Sequence, residues 1–290
     1  MMDLLDLFER HLRENPLKVQ SFHPFYEEAL NAMLQARAKR FRPLLLLSVV
    51  EASNPLLIPS ALDVALALEI FHTYSLIHDD LPVMDDADLR RGEPTLHTRY
   101  DELTATLVGD ALNTHAFLLI SKAALSGDTK SKLVELLAHN GGVDGMVHGQ
   151  IIDCYFENQK LGLEQLELLH RNKTAKLIAA SLQMGAVIAD LDQQIQERLY
   201  SFGLELGLLF QIQDDIIDAL WTQEEAGKTT QSDSAKNSFV TLLGEQRAIQ
   251  EADRYASKLQ ERLQDLPPKI HAALQSLLER YLYRHHNQKG

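Results

Sequence analysis

The sequence predicts an all-α protein, and two observations support that prediction. Apolar residues recur at helical spacing along almost the whole of the 290-residue chain, and extended runs with two-residue alternation are absent. The segments that join these patterns are short and contain Pro or Gly, as in SNPLLIPS, LSGDTK and LPPK. None of them resembles a linker between domains. We therefore expect a single helical domain over residues 1–290, with no need for strands.

Ten helices follow from the apolar spacing, each bounded by one of these breaks or by a polar segment. In chain order they cover residues 3–13, 19–36, 40–52, 60–80, 101–124, 130–157, 164–189, 193–220, 237–263 and 268–284. The stretch from Trp221 to Asn237 is polar and follows the eighth helix directly, with Gly227 and Lys228 among Thr, Ser and Gln. We expect this stretch to be a lid over a site.

Composition narrows the class of protein. The 28 Lys and Arg residues against 41 Asp and Glu give a formal charge of −13, which disfavours a nucleic-acid partner and a basic membrane-binding surface. The single cysteine, Cys154, excludes an internal disulfide and fits a reducing cytoplasm. The N-terminal segment carries acids, unlike a signal peptide, and no segment reaches roughly 20 uncharged apolar residues. We expect a soluble, cytoplasmic protein without stable membrane association.

Two aspartate clusters interrupt strongly apolar helical sequence, in LIHDDLPVMDDADLRRG and in FQIQDDIIDAL. The six acids are Asp79, Asp80, Asp85, Asp214, Asp215 and Asp218. Carboxylates removed from water must be paired, protonated or bound to metal, because uncompensated burial is too costly. No basic residue lies inside either cluster, and Mg²⁺ takes carboxylate oxygens while keeping waters and substrate phosphates as further ligands. The clusters therefore predict magnesium and a phosphorylated ligand.

The spacing of the acids supports shared ligation. Asp214 and Asp218 are four residues apart, which places them about 40° apart around a helix and about 6 Å along it. A solvated acidic turn is the alternative, but the flanking residues look buried. In the first cluster Pro82 should end the helix, and the following turn could bring Asp85 back toward Asp79. His72 lies on nearly the same helix face, about two turns below, as a site residue or as a satisfied core histidine.

Basic residues accompany the acids. Arg90 and Arg91 follow the first cluster, and Lys39, Arg40 and Arg42 lie in AKRFRP. Guanidinium groups suit phosphate oxygens because their donors match the spacing of the oxygens. Taken alone, AKRFRP is more often an ordinary basic helix start. Combined with six acids, it predicts a second diphosphate pocket.

Six motifs in order carry a resemblance to a known family: AKRFRP, HTYSLIHDDLPVMDDADLRRG, GMVHGQIID, HRNKTAKLI, FQIQDDIID and GKTTQSDSAKNS. The sequence resembles the trans-polyprenyl diphosphate synthases over nearly its whole length, most closely the bacterial farnesyl diphosphate synthase group. The resemblance implies an isoprenoid-synthase bundle around a central cavity, with the two aspartate motifs facing each other across its mouth. It also implies a homodimer.

The resemblance further implies a role for each matched residue. The six aspartates would hold three Mg²⁺ ions against an allylic diphosphate. That substrate would also contact Arg90, Lys173, Thr174, Gln211 and Lys228. Isopentenyl diphosphate, bound without metal, would contact Lys39, Arg42, His72 and Arg91. Lys236 would close over the site with the lid.

The expected reaction is ionisation of the allylic diphosphate, attack by the double bond of isopentenyl diphosphate, and loss of a proton. Metal and cationic side chains would stabilise the leaving diphosphate. Tyr74 and Ser75 stand at the fifth and fourth positions before Asp79, where a bulky residue tends to stop growth near fifteen carbons in this family. Farnesyl diphosphate is therefore the expected product, and geranylgeranyl diphosphate the alternative.

Three rival classes differ in what they leave unexplained. A terpene cyclase would not need AKRFRP, an HD-type phosphohydrolase would not need the second cluster, and a noncatalytic prenyltransferase subunit usually loses aspartates. The chain departs from the family pattern at Ala38, Lys176, Gln231 and Ser238. His148 is expected to be structural, near a close helix contact made by Gly145 and Gly149.

Overall fold

The structure, a computed structural model, describes residues 3–220 and 237–281. Within those residues, fourteen α-helices and one short strand pair form the fold. The helices are α1 (Leu4–Glu14), α2 (Tyr26–Gln35), α3 (Phe41–Ser53), α4 (Ile58–Asp79), α5 (Leu96–Arg99), α6 (Glu102–Lys122), α7 (Gly127–Gly141), α8 (Met146–Tyr155), α9 (Leu163–His170), α10 (Lys176–Ile188), α11 (Gln193–Leu220), α12 (Phe239–Leu243), α13 (Glu245–Gln264) and α14 (Pro268–Tyr281). The all-α prediction is confirmed. The single-domain assignment stays a prediction.

The core consists of two apolar clusters that share α3 and α10. One cluster joins these two helices to α1, α2, α4, α6 and α7. The other joins them to α11, α13 and α14. Helix α4 is apolar on nearly all sides and most of its side chains are buried, as expected for a helix surrounded by others. The first aspartate cluster therefore begins at the end of a helix that other helices surround.

Several predicted helices are divided at glycines. The predicted helix 130–157 is two helices, α7 and α8, because the chain folds so closely at Gly145 that a Cβ there would lie 2.0 Å from the Asn140 carbonyl oxygen. The predicted helix 237–263 breaks into α12 and α13 at Gly244, whose φ of 80° favours glycine. The predicted helix 19–36 begins only at Tyr26.

A two-stranded ladder corrects the expectation that no strands are needed. Strand β1 (Leu89–Arg90) pairs antiparallel with β2 (Glu93–Pro94). The two residues between them, Arg91 and Gly92, have φ values of 59° and 80°, the positive-φ pair that suits a tight hairpin. Arg90 lies in the strand and Arg91 in the turn, and their guanidinium groups contact different acids, Asp80 and Glu69.

A second irregularity joins α9 to α10. The sequence predicts one helix over 164–189, but residues Arg171–Ala175 form a π-helical turn between the two α-helices. Such turns displace the side chains around them and are frequent at functional sites. Lys173 and Thr174 lie within this turn. A Cβ at Gly149 of α8 would lie 2.2 Å from the backbone nitrogen of Lys173, so the expected close contact at Gly149 is present.

Two segments, Pro55–Asp79 and Glu102–Lys122, are long and apolar enough by length and composition to cross a membrane. The first has 67% of its most apolar window buried inside the protein, as in the core helix of a globular domain. The second, α6, has 39% of its window buried, and it exposes Leu103, Leu107 and Leu118.

Candidate active site

A cavity of about 460 Å³ lies between α4, α8 and the π-helical turn. Apolar side chains, including Met146, Val147 and Ile151, form much of its wall. The sequence-predicted site residues among its lining are Arg42, His72, Tyr74, Ser75, Asp79, Lys173 and Thr174. The fold therefore brings parts of four of the six motifs to one space.

The first aspartate cluster forms a turn at one end of this cavity. The backbone N–H of Asp85 donates to the carbonyl oxygen of Asp79 at 2.9 Å, so the predicted return of the chain after Pro82 is present. Burial raises the pKa of Asp79 to about 6; Lys173 opposes that rise and Asp85 adds to it. The carboxylate is therefore costly to keep ionised without an additional cation nearby.

Asp80 is almost completely buried and already has a cationic partner. The Arg90 Nε donates to its Oδ1 at 2.8 Å, and the Arg90 Nη2 donates to the same oxygen. Burial raises the pKa of Asp80 even though Arg90 opposes the rise. Arg90 therefore reaches the first cluster, on the side where the allylic substrate is expected.

Lys173 links the first cluster to an acid that the sequence prediction did not include. Its ammonium group donates to Asp153 Oδ2 at 2.5 Å. Burial lowers the pKa of Lys173, but Asp153 and then Asp79 outweigh burial and leave that pKa raised. Asp153 is the last residue of the motif GMVHGQIID. Its place in that motif is the feature of the sequence that could have indicated a role in the site. Its charge keeps Lys173 protonated at the cavity wall.

The second aspartate cluster lies on α11, with Asp214 and Asp218 one helical turn apart as predicted. Asp215 makes contacts within the protein: its Oδ1 accepts from Gln211 Nε2 at 2.9 Å and its Oδ2 accepts from the Phe239 N–H at 2.8 Å. The Thr174 hydroxyl donates to Gln211 Oε1 at 3.0 Å. Thr174 from one motif and Gln211 and Asp215 from another thus form one chain of hydrogen bonds, and Asp215 fixes the amide that holds Thr174.

Burial raises the pKa of Asp215 to about 7, against the two hydrogen bonds that stabilise its charge. Carboxylates with raised pKa values on α4 and α11 are suited to a hard divalent cation, because such an ion would offset the cost of burying them. In the described part of the chain, no three His, Cys, Asp or Glu side chains form a finished metal site. The donor chemistry fits magnesium, while further ligands must come from elsewhere.

A basic pocket lies on the other side of the cavity. The Arg42 Nη1 lies 3.0 Å from His72 Nε2, and since a guanidinium can only donate, the imidazole nitrogen accepts. Burial first, and then Arg42 and Arg91, hold the pKa of His72 well below its usual range. The ring is therefore neutral and carries its hydrogen on Nδ1, a buried atom for which the described residues provide no hydrogen-bond partner. His72 is neither charged nor a fully satisfied core histidine.

The three cations of AKRFRP separate in the structure. Arg42 lines the cavity, and burial lowers its pKa to about 10 although Glu69 opposes that shift. Arg40 is structural: it is fully buried, donates to Glu9 and Glu69 at 2.8 Å each, and donates to two backbone carbonyls at the end of α2. Lys39 is exposed and is not among the residues that line the cavity.

The lid prediction and its two lysines, Lys228 and Lys236, lie outside the described residues, as does Gln231. Among the other departures from the family pattern, Ser238 accepts from the Thr241 N–H at 3.0 Å and so caps α12, as Thr would. Lys176 donates to the Asp144 carbonyl oxygen and is not among the residues that line the cavity.

An all-α bundle with a cavity lined by Asp79, Lys173 and Arg42, and with a second aspartate cluster on α11, has the architecture of the isoprenoid synthase class. The sequence model of the polyprenyl synthetase family matches residues 23–279. The chain belongs to this family, as the resemblance predicted. The terpene cyclase and HD-type phosphohydrolase alternatives are thereby set aside.

Individual relatives agree with this assignment. The chain is 39% identical to a farnesyl diphosphate synthase of Micrococcus luteus over 271 residues, 92% of this chain and 91% of that protein. It is also 39% identical to geranylgeranyl pyrophosphate synthase 3 of Arabidopsis thaliana, covering 94% of this chain and 76% of that protein. A crystal structure of a Helicobacter pylori geranyltransferase complexed with magnesium and isoprenyl diphosphate superposes with a TM-score of 0.92 at 47% identity, covering 96% of this chain and 95% of the other.

Proposed function

We propose that this chain, a prenyltransferase, condenses isopentenyl diphosphate with dimethylallyl or geranyl diphosphate and forms farnesyl diphosphate. The observation that carries the proposal is the cavity itself, because Asp79, the cations Lys173 and Arg42, and an apolar wall line the same space. An acidic mouth suits a metal-bound diphosphate, a basic pocket suits a diphosphate without metal, and an apolar wall suits the growing chain.

Mg²⁺ is the proposed cofactor, in three ions as the family resemblance implies. Asp79, Asp85, Asp214 and Asp218 would hold it, together with the diphosphate oxygens. When bound, the metal would neutralise the charge that develops on the departing diphosphate. Asp80 accepts hydrogen bonds from Arg90, and Asp215 accepts them from Gln211 and from the Phe239 N–H. We assign them mainly to positioning their neighbours.

The chain's own cations and hydroxyl contribute the remaining chemistry on the allylic side. Lys173 and Arg90 place fixed positive charges beside the leaving group, and such preorganised charges are worth more in a site that excludes water. The Thr174 hydroxyl donates its hydrogen to Gln211, so the lone pairs of the Thr174 oxygen point away from Gln211. These lone pairs can stabilise positive charge on the allylic carbon, and Asp215 keeps the Gln211 amide in the orientation that this requires.

Isopentenyl diphosphate is assigned to the basic pocket. Arg42 and Arg91 supply positive charge without a metal. The His72 Nδ1–H is a buried donor for which the described residues provide no acceptor. A neutral donor and charged guanidinium groups together suit diphosphate oxygens. Lys39 belongs to this assignment by resemblance, with Lys228 and Lys236 assigned to the allylic site and its closure on the same ground.

Tyr74 is proposed to limit product length. It is buried, lines the cavity, and packs edge-on against the rings of Phe71 and His78. A large ring at this depth leaves less space for a chain longer than fifteen carbons. The geranylgeranyl product remains the second candidate because a synthase of that product is among the similar proteins.

A cytoplasmic homodimer is the proposed setting. Exposed apolar side chains lie at one-turn spacing on α6, at Leu103 and Leu107, and Leu118 is exposed on the same helix. Apolar faces of this kind suit burial against a second copy of the chain. The acidic composition and single cysteine support a cytoplasmic location without stable membrane association.

The deciding experiment incubates purified protein with labelled isopentenyl diphosphate and dimethylallyl, geranyl or farnesyl diphosphate, with Mg²⁺ or chelator, and resolves the products by length. Metal-dependent fifteen-carbon product is expected. Mainly twenty-carbon product would preserve the reaction and overturn the role of Tyr74. Absence of condensation with every primer would favour a noncatalytic subunit, even though the chain keeps all six aspartates.

A further inference from the structure

Glu69 is a carboxylate buried among three arginines, and nothing in the expected reaction uses it. Its side chain is 2% exposed and lies on α4, three residues before His72. Its Oε1 accepts from Arg40 Nη1 at 2.8 Å and from Arg91 Nη2 at 3.4 Å. It also stabilises the charge of Arg42 more strongly than any other carboxylate does. A buried acid with this many cationic neighbours requires a physical reason.

We propose that Glu69 is a positioning residue for isopentenyl diphosphate: it holds Arg91, and through charge Arg42, in place to receive the metal-free diphosphate. This inference rests on the proposed function and assigns a role within it. Glu69 would not itself contact the substrate. It acts through the two arginines that do.

The contacts divide the arginines into one anchor and two substrate ligands. Arg40 is fixed by Glu9, Glu69 and two carbonyl oxygens, so it ties the carboxylate to the N-terminal helices. The Arg91 guanidinium donates to the Met33 carbonyl oxygen at 3.1 Å and to Glu69 Oε1 at 3.4 Å. It therefore keeps donors for a ligand, and the carboxylate determines where they point.

Charge explains why an acid is needed beside an anion-binding pocket. Guanidinium groups buried close together repel one another, and burial itself disfavours their charge. Burial lowers the pKa of Arg91, and Glu69 opposes that shift more strongly than any other group. One carboxylate among three guanidinium groups offsets part of this repulsion and still leaves net positive charge for a diphosphate. The empty pocket is thus kept in its binding arrangement.

The test replaces the charge and keeps the shape with Glu69→Gln. We expect the KM for isopentenyl diphosphate to rise at least about tenfold, because Arg91 loses its charged partner. The KM for geranyl diphosphate should change less than about twofold, since that substrate binds at the aspartate mouth. Calorimetric titration of isopentenyl diphosphate in chelator should show the same loss of affinity without turnover.

Glu205 provides a matched control. It is a buried carboxylate on α11 with two cationic partners, Lys258 and Arg262, each at 2.6 Å, and it does not line the cavity. Glu205→Gln should lower the melting temperature without separating the two KM values. If both variants change the two KM values alike, Glu69 is a stability residue only and the proposal is overturned.

A second variant and the behaviour of the wild-type protein complete the test. If Glu69→Gln fails to fold, Glu69→Asp carries the same test, because the shorter acid remains beside Arg40 but withdraws from Arg91, which is already at 3.4 Å. Tighter binding of isopentenyl diphosphate by either variant would overturn the proposal. Wild-type protein that binds this ligand without turnover overturns the reaction and leaves the role of Glu69 standing; wild-type protein that does not bind it overturns both.

Discussion

The two sides of the cavity handle charge differently. On the basic side, Arg40, Arg42, Arg91, Glu69 and His72 contact one another or share charge within the protein. On the acidic side, Asp79 and Asp215 are buried with raised pKa values, and in the residues that the structure describes they have only partial compensation. The basic pocket therefore carries its own counter-charge, whereas Arg90 and Lys173 offset only part of the cost of burying the acids of the mouth.

The difference indicates which side is prepared before substrates bind. A pocket organised by a buried carboxylate keeps its donors in place when empty, so little ordering is required on binding. Acids without enough cations are stabilised only when metal and diphosphate are present. We infer that metal availability controls the allylic side and leaves the isopentenyl side much less affected.

The largest expected effect comes from breaking the acidic side with Asp79→Asn. Turnover should fall about 10³-fold, because one charged ligand for the metal and leaving group is lost. The rise in melting temperature that Mg²⁺ and inorganic pyrophosphate cause in wild type should also shrink. Asp86→Asn is the control, since Asp86 is exposed in the same turn and its φ of 47° suits Asn. Equal losses in both variants would contradict this assignment.

Breaking the basic side should produce a smaller and more selective effect. In Arg42→Gln we expect the KM for isopentenyl diphosphate to rise roughly 10- to 100-fold, which corresponds to the loss of one or two charged hydrogen bonds. The dependence of turnover on Mg²⁺ concentration should stay as in wild type. A shifted Mg²⁺ dependence would show that the two sides are not separate.

Tyr74→Ala sharpens the comparison by changing the space that both sides share. Removal of the ring should move the main product from fifteen to twenty or more carbons, while both KM values change less than about threefold. Product length is read by chromatography of the labelled products. Because cavities of this size destabilise proteins by a few kcal/mol, the melting temperature is measured in parallel. An unchanged fifteen-carbon product would exclude Tyr74 as the limit.

A separate effect, on stability and not on substrate binding, is expected at His170, a buried histidine that stacks on Phe239 with ring centroids 5.5 Å apart. Burial lowers its pKa to about 4, below the unfolded value near 6.5. The folded protein therefore binds fewer protons at this group, and the free energy of unfolding falls as pH drops from about 6.5 toward 4, by up to roughly 3 kcal/mol. His170→Phe should reduce this acid-side loss in denaturant titrations. An unchanged pH profile would contradict the assignment.

Much of the site followed from residue type and order. Asp214 and Asp218 had to share a face because of helical geometry, and Pro82 had to end α4 before Asp85. The sequence did not predict that Arg40 is structural while Arg42 lines the cavity, since both residues lie in the same basic motif. Asp153 and Glu69 were also missed, because an isolated acid gives no sign of which distant cation it will meet.

The sequence by itself determined the all-α class, the helical positions of the acids and the family, because apolar periodicity and ordered motifs are local properties of the chain. Only the tertiary structure decided which charges meet. It separated Arg90 from Arg91 through a tight hairpin, brought Lys173 to Asp153 through a π-helical turn, and connected Thr174, Gln211 and Asp215 in one hydrogen-bonded chain. Electrostatic pairing depends on distance and burial, and both are set by the packing of helices that lie far apart in the sequence.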